Sequence, residues 1–145
     1  MSEYINKLIG VGPAFPFNPT PTHRVSSSGS IDRINQSLFI LFETRKGSRL
    51  MLPTFGSDLY KYRFDPLDNV LLERMRQTIK EDIETWEPRL IIDDIKFKST
   101  TEDIDNSILY IDIYYHIINT DVKGNYVYPY KREARGTDRD ETYGM

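Results

Sequence analysis

The sequence predicts an α+β fold, with two main helices packed on a small, mostly antiparallel sheet of two to three strands. Three observations predict it. Apolar residues recur three or four apart in two separate stretches, before residue 47 and between residues 68 and 86. Beyond Arg89 the chain becomes dense in Ile and Tyr, the residue types that fit a pleated surface. Short polar stretches divide those runs, as hairpin connections would. With 145 residues, 39% of them hydrophobic, the chain suits one domain with one core.

Residues 1–29 carry "PFNPTPT" and then "SSSGS". Proline denies helix and Gly/Ser adds backbone entropy, so an extended arm and a flexible link are expected, with Phe15 and Phe17 free to dock. The domain proper is expected over residues 30–132. Ser30 suits an N-cap, and Asp32 falls in the first turn, where the macrodipole favours an anion. Ile31, Ile34, Leu38, Leu41 and Phe42 form one helical stripe, and Gly47 is the expected stop.

The segment "RKGSRLMLPTFGSDLYKYRFDPL" has no period and carries turn signals at Gly47, Pro53, Gly56 and Asp65-Pro66. Its Leu50, Met51, Leu52 and Phe55 are expected to cover the core, any exposed part serving as an interface. A second helix is expected from a cap at Asp68 to Trp86, with Leu72, Met75, Ile79, Ile83 and Trp86 on one face. Pro88 ends it, because proline disfavours α conformation at the residue before it.

"RLIIDDIKFK" and "SILYIDIYYHIIN" then read as strands joined by a hairpin loop over residues 99–106. The second has apolar side chains on both faces. "DVKGN" at 121–125 reads as a turn, and "YVYPY" as a short third strand in which Pro129 marks an edge or an end. From Glu133 the apolar content nearly vanishes, so residues 133–145 are expected to be a mobile polar tail. Unless loops or the arm cover them, the edges of so small a sheet offer unpaired N–H and C=O groups to an added strand.

Composition narrows function. A net charge of −3 with mixed signs supplies no broad field for duplex nucleic acid or an anionic membrane. The longest apolar runs fall short of the ~20 residues that a spanning helix needs. Glu3, Pro13 and Pro16 argue against a cleaved secretory signal. With no cysteine and only His23 and His116, thiolate and most transition-metal sites are excluded, and no cofactor is expected.

Catalytic readings find little support. Gly10-Val11-Gly12 has Pro13 behind it and neither a strand before nor a helix after, and Lys46-Gly47-Ser48 has phosphate-loop letters in the wrong order. The serines at 26–28 sit in a link without a nucleophile turn. A glycosidase needs two carboxyl groups about 5–10 Å apart, one with a raised pKa. Glu43, Asp58, Glu84 and Glu87 lie instead on helix ends and polar loops. Arg45, Lys46 and Arg49 read either as helix C-terminal cations or as a docking site for an acidic partner, and a small nucleic-acid-binding module is the variant of that idea.

Glu87-Pro88-Arg89 stands out, because a carboxylate at a helix C-terminus meets the negative end of the macrodipole. If the triplet is extended, Glu87 and Arg89 point the same way, as a charged pair facing a partner or as a salt bridge closing the turn. On the first reading, Arg89→Ala would leave the domain folded.

The order of these segments, "SIDRINQSLFILFETRKGSRLMLPTFGSDL", a helix ending in "EPR", then "IIDDIKF" and a long strand, resembles the gene-25-like baseplate wedge family of contractile phage tails. Relatives occur in type VI secretion systems and contractile injection particles. The resemblance covers roughly residues 30–120 and implies a structural subunit, not an enzyme, despite the label "lysozyme" that some members carry. It implies a fold like the strand-exchanging, handshake part of the sheath subunit, and a place in the baseplate, assembled in the bacterial cytoplasm without a signal peptide. The implied partners are the sheath subunit and the wedge proteins, with hub or tube-initiator proteins as further candidates, and neither nucleic acid nor membrane. The family's motif maps wedge-core contact onto Glu87, Pro88 and Arg89. Its loop motif maps onto Arg45, Lys46, Gly47, Ser48, Arg49, Pro53, Phe55, Gly56 and Asp58. Addition of a sheath strand is expected along Ile108, Tyr110, Asp112, Tyr114 and His116. A peptidoglycan hydrolase is the alternative.

Overall fold

The computed structural model describes residues 12–13, 27–28, 30–100 and 107–133. Most of the expected arm, most of the loop at 99–106 and all of the tail beyond Glu133 lie outside the described residues. Two short strands, β1 (Gly12–Pro13) and β2 (Ser27–Ser28), pair antiparallel. Helix α1 (Ser30–Glu43) follows, then a loop, a 3₁₀ turn (Leu59–Tyr62) and helix α2 (Asn69–Trp86). Strands β3 (Leu90–Lys98), β4 (Ile108–Ile117) and β5 (Lys123–Lys131) complete the fold. They form one antiparallel sheet in the order β3-β4-β5, which bears out the α+β expectation.

The helices form for the reasons the sequence suggests. Ile34, Leu38, Leu41 and Phe42 are buried along α1, and Met75, Ile79 and Ile83 along α2. Asp68 caps α2 by accepting from the Leu71 N–H at 2.7 Å. Helix α1 ends at Glu43, ahead of Gly47. Thr44 closes it with its N–H and hydroxyl both on the Ile40 carbonyl.

One face of the sheet meets the helices. Leu109, Ile111, Ile113, Tyr115 and Ile117 from β4 are buried there with Tyr128 and Tyr130 from β5. The tyrosines suit this layer because each carries a hydroxyl to its far side: Tyr115 to Asn35, Tyr128 to Glu43, and Tyr130 to the Leu59 carbonyl, at 2.7–2.9 Å. A buried ring thereby keeps its polar end satisfied.

Three expectations change. The β4–β5 turn lies earlier than "DVKGN": Asn119 takes the left-handed conformation (φ 60°), and the Ile117 N–H reaches the Val122 carbonyl at 3.0 Å. Asn tolerates that region better than most residues. Gly124 lies in β5, where an added Cβ would come within 2.8 Å of the Tyr115 ring. The third strand is therefore nine residues long. Finally, Leu50 and Met51 do not cover the core and are almost fully exposed.

Candidate functional site

Glu87-Pro88-Arg89 joins α2 to β3. Glu87 is the C-cap of α2, its N–H on the Ile83 carbonyl at 2.7 Å, and its side chain turns inward to 3% exposure. Arg89 Nε donates to Glu87 Oε1 and Nη2 donates to Oε2 at 2.7 Å, a bidentate fork. Ser37 on α1 donates to the same Oε2 at 2.7 Å. The guanidinium thus offsets the anion that the helix end disfavours. Hydrogen bonding to Glu87 holds the Arg89 pKa above its ordinary value, against burial, which acts the other way.

Of the two sequence readings of the triplet, the structure shows the salt bridge that closes the turn. Glu87 faces inward as the turn-closing partner, while Pro88 is exposed and Arg89 half-buried. Outward contact is left to those two residues. To the expectation that Arg89→Ala leaves the domain folded, the buried carboxylate that it would orphan adds an expected loss of stability.

The loop motif is a latch onto α2. Gly47 (φ 87°) turns the chain so that its N–H meets the Pro53 carbonyl at 2.7 Å, and Ser48 folds its N–H and hydroxyl onto the Arg45 carbonyl. Arg45 bridges Ser57 in parallel, and the Ser57 N–H reaches Thr44 at 2.8 Å. Lys46 then crosses to Asp82 at 2.9 Å and Asp58 at 3.4 Å, with Lys61 on Asp58 at 3.1 Å. Asp82, 2% exposed, also accepts from the Ser57 hydroxyl at 2.7 Å. Burial works against charge on Lys46, but the hydrogen bond and attraction of Asp82, helped by Asp58, outweigh it and raise the pKa. Burial likewise opposes charge on Asp58, whose bonds to Lys61 and Lys46 nevertheless hold its pKa below the usual value. Phe55 packs edge-on to Trp86 at 5.1 Å, which brings the loop beside the junction.

Gly56 is where this latch is tightest. Its φ is 125°, and a Cβ would meet the Thr44 carbonyl oxygen, with Arg45 C at 2.8 Å and Lys46 N at 2.9 Å, all backbone atoms. Gly56→Ala is expected to cost about 2–3 kcal/mol, because neither the conformation nor the space suits a side chain. Its urea midpoint should fall well below that of Gly47→Ala, where nothing lies within 4 Å of the added carbon.

The sheet corrects one expectation. Ile108, Tyr110, Asp112, Tyr114 and His116 lie on β4, which pairs on both sides, so their backbone has no free edge to offer. Their side chains line the face away from the helices. There His116 Nδ1 meets Asp93 Oδ1 at 2.7 Å, and Lys98 pairs with Asp112. Among the described residues, the unpaired edges belong to β3 and β5.

Those edges differ. Arg132 N–H reaches Ser107 O at 2.8 Å, so in this register Tyr130, Tyr128 and Tyr126 bond to β4, and Lys123, Asn125, Val127 and Pro129 turn their backbone outward. Pro129 accordingly loses no ladder bond. On β3 a register shift falls between Ile92 and Asp94, and the Ile95 N–H, which faces the open side, is capped by Asp94 Oδ1 at 2.8 Å. Bulge, cap and the flanking Lys96 and Lys98 all blunt that edge.

Three of the four acids weighed for sugar hydrolysis are otherwise engaged, and Glu84 is exposed on α2. Glu43 accepts from Tyr128, Asp58 holds two lysines, and Glu87 is enclosed by Arg89 and Ser37. A general acid needs a raised pKa, and that of Asp58 is lowered. Sequence reasoning missed Ser37, Ser57 and Asp82. Asp82 alone left a signal, an anion on the helix face of Met75, Ile79 and Ile83.

Residues 29–122 match the family model described as baseplate wedge protein gp25. Baseplate wedge protein gp25 of Enterobacteria phage T4 is 33% identical over 66 residues, 46% of this chain and 50% of that protein, so the match spans half the length of that relative. Among solved structures, a Geobacter sulfurreducens protein described as a tail lysozyme superposes with a TM-score of 0.66 at 27% identity, over 73% of this chain and 94% of that one. A chain of the anti-feeding prophage baseplate gives 0.68 at 28% identity, over 77% and 88%. A chain of the pyocin R2 baseplate gives 0.59 at 16% identity over 74% and 97%, a likeness of fold alone.

Proposed function

We propose, for a chain that belongs to the family of baseplate wedge protein gp25, a structural role in the baseplate of a contractile tail or tail-like particle, joining the wedge core to the first sheath ring and starting sheath assembly by strand addition. The observation that carries the finer part is the outer side of β5, unpaired among the described residues, on the sheet edge opposite the blunted β3. A sheath strand laid along β5 would bond to Lys123, Asn125 and Val127, giving affinity through the backbone. On the other edge of the sheet, where β3 begins, Pro88 and the outer side of Arg89 are proposed to meet the wedge core, with Glu87 fixing the orientation of the guanidinium. The engaged carboxylates support a non-enzymatic role.

The test is Val127→Pro, which removes one outward N–H and keeps the β4–β5 ladder. Purified chain mixed with its sheath subunit should protect the amides of Asn125 and Val127 from hydrogen exchange. The proline variant should fold normally yet fail to seed sheath. Normal seeding by that variant would rule out the β5 edge, and release of soluble fragments from peptidoglycan by the wild-type chain would revive the hydrolase alternative.

A further inference from the structure

Leu50 and Met51 are 98% and 94% exposed, side by side on the loop between α1 and the 3₁₀ turn. Single exposed apolar residues are ordinary, but an adjacent pair on a loop whose base is held is a contact surface. The base is held by the Gly47–Pro53 and Ser57–Thr44 backbone bonds and by Lys46 on buried Asp82. Arg45, at the base of the loop, and Arg49, next to Leu50 in the chain, are exposed and stacked over Tyr60 at 5.2 Å and over Phe55 at 5.0 Å. Among the described residues neither forms an ion pair, whereas Lys46 between them is spent on Asp82 and Asp58. The platforms fix where two positive charges stand relative to two aliphatic side chains.

We propose that this tip is a plug: Leu50 and Met51 enter an apolar pocket on a different polypeptide, and carboxylates on the rim of that pocket pair with Arg45 and Arg49. Charge complementarity selects this occupant. A second copy meeting the tip about a twofold axis would set guanidinium against guanidinium, which repels. Two cations on a chain of net charge −3 are also too few for a phosphate-covered surface, whose binding grows with each added Lys or Arg. The inference does not rest on the sheath reading.

The experiment uses the full chain in cells that produce it, with a photoreactive benzophenone side chain at position 51 and, as a control, at position 73 on exposed α2. Irradiation of whole cells followed by peptide sequencing should join position 51 to an apolar segment of another protein that carries Asp or Glu. Arg45→Glu with Arg49→Glu should lower that yield about tenfold, as should Leu50→Ser beside the probe. Both variants should melt with the wild type, since the residues are already solvated. A crosslink to a second copy, to nucleic acid or to lipid, a yield no greater than at position 73, or indifference to charge reversal would each overturn the plug. The crosslink is read whether or not sheath forms, so failure of the edge-proline test leaves it standing.

Discussion

Arg89→Ala is expected to destabilise the isolated chain by about 3 kcal/mol, although Arg89 is itself half-buried. The cost falls on Glu87, 3% exposed at a helix C-terminus, which among the described residues would keep the Ser37 hydroxyl. Breaking a buried ion pair from one side costs ~3–5 kcal/mol, and the lower end applies because Ser37 remains and water can approach from the position of Arg89. Arg89→Lys should recover less than half, since an ammonium cannot make the two-armed contact. Glu87→Leu with Arg89→Leu should be milder than Arg89→Ala alone, because no charge is orphaned. Urea midpoints at constant m-value would measure all three. Equal midpoints for wild type and Arg89→Ala would mean that Glu87 is not held by this pair. The double variant also tests the proposed wedge contact: a folded chain without the guanidinium would, on that proposal, fail to enter the baseplate.

Stability is also expected to fall steeply above pH 10. Burial pushes the phenols of Tyr115, Tyr126 and Tyr130 up to about 12, and that of Tyr128 higher still. Nearby carboxylates add to this, Asp32 and Glu87 for Tyr115 and Glu43 for Tyr126, while Tyr128 also donates to Glu43. Folded-state values above the unfolded value of about 10 mean that the folded chain keeps protons the unfolded chain releases. The contribution is therefore complete below pH 10 and is lost as pH rises from there through the folded values. Four such groups together remove up to about 5 kcal/mol per pH unit in that window. Urea midpoints taken from pH 9 to 12, with phenolate absorbance in parallel, would follow it. A midpoint unchanged to pH 12 would show that the phenols reach water in the folded state.

Much of the architecture is legible because period and capping are local properties. Ile34, Leu38, Leu41, Met75, Ile79 and Ile83 reveal themselves by spacing, and Asp68 by standing at the start of a stripe. Leu50 and Met51 mislead because burial of apolar side chains is a one-way rule, and nothing local distinguishes a core residue from a contact residue. "DVKGN" misleads for a related reason. Gly124 is there for the Tyr115 ring across the sheet, while Asn119 makes the turn. The two-sided apolar pattern of β4 speaks of covered faces and not of paired edges, so its middle place in the sheet is not legible locally. Ser37 and Ser57 carry no signal at all, since a serine becomes a partner only when folding brings a distant carboxylate to it.

The unequal edges of the sheet also govern what the free chain cannot do. With two open edges, β5 of one copy could lie along β3 of the next, a head-to-tail contact that repeats without closing and grows into a filament. The Ile92–Asp94 bulge and the Asp94 cap on Ile95 remove one half of that contact. The free chain is therefore expected to resist growth into filaments, and light scattering of concentrated chain would check it.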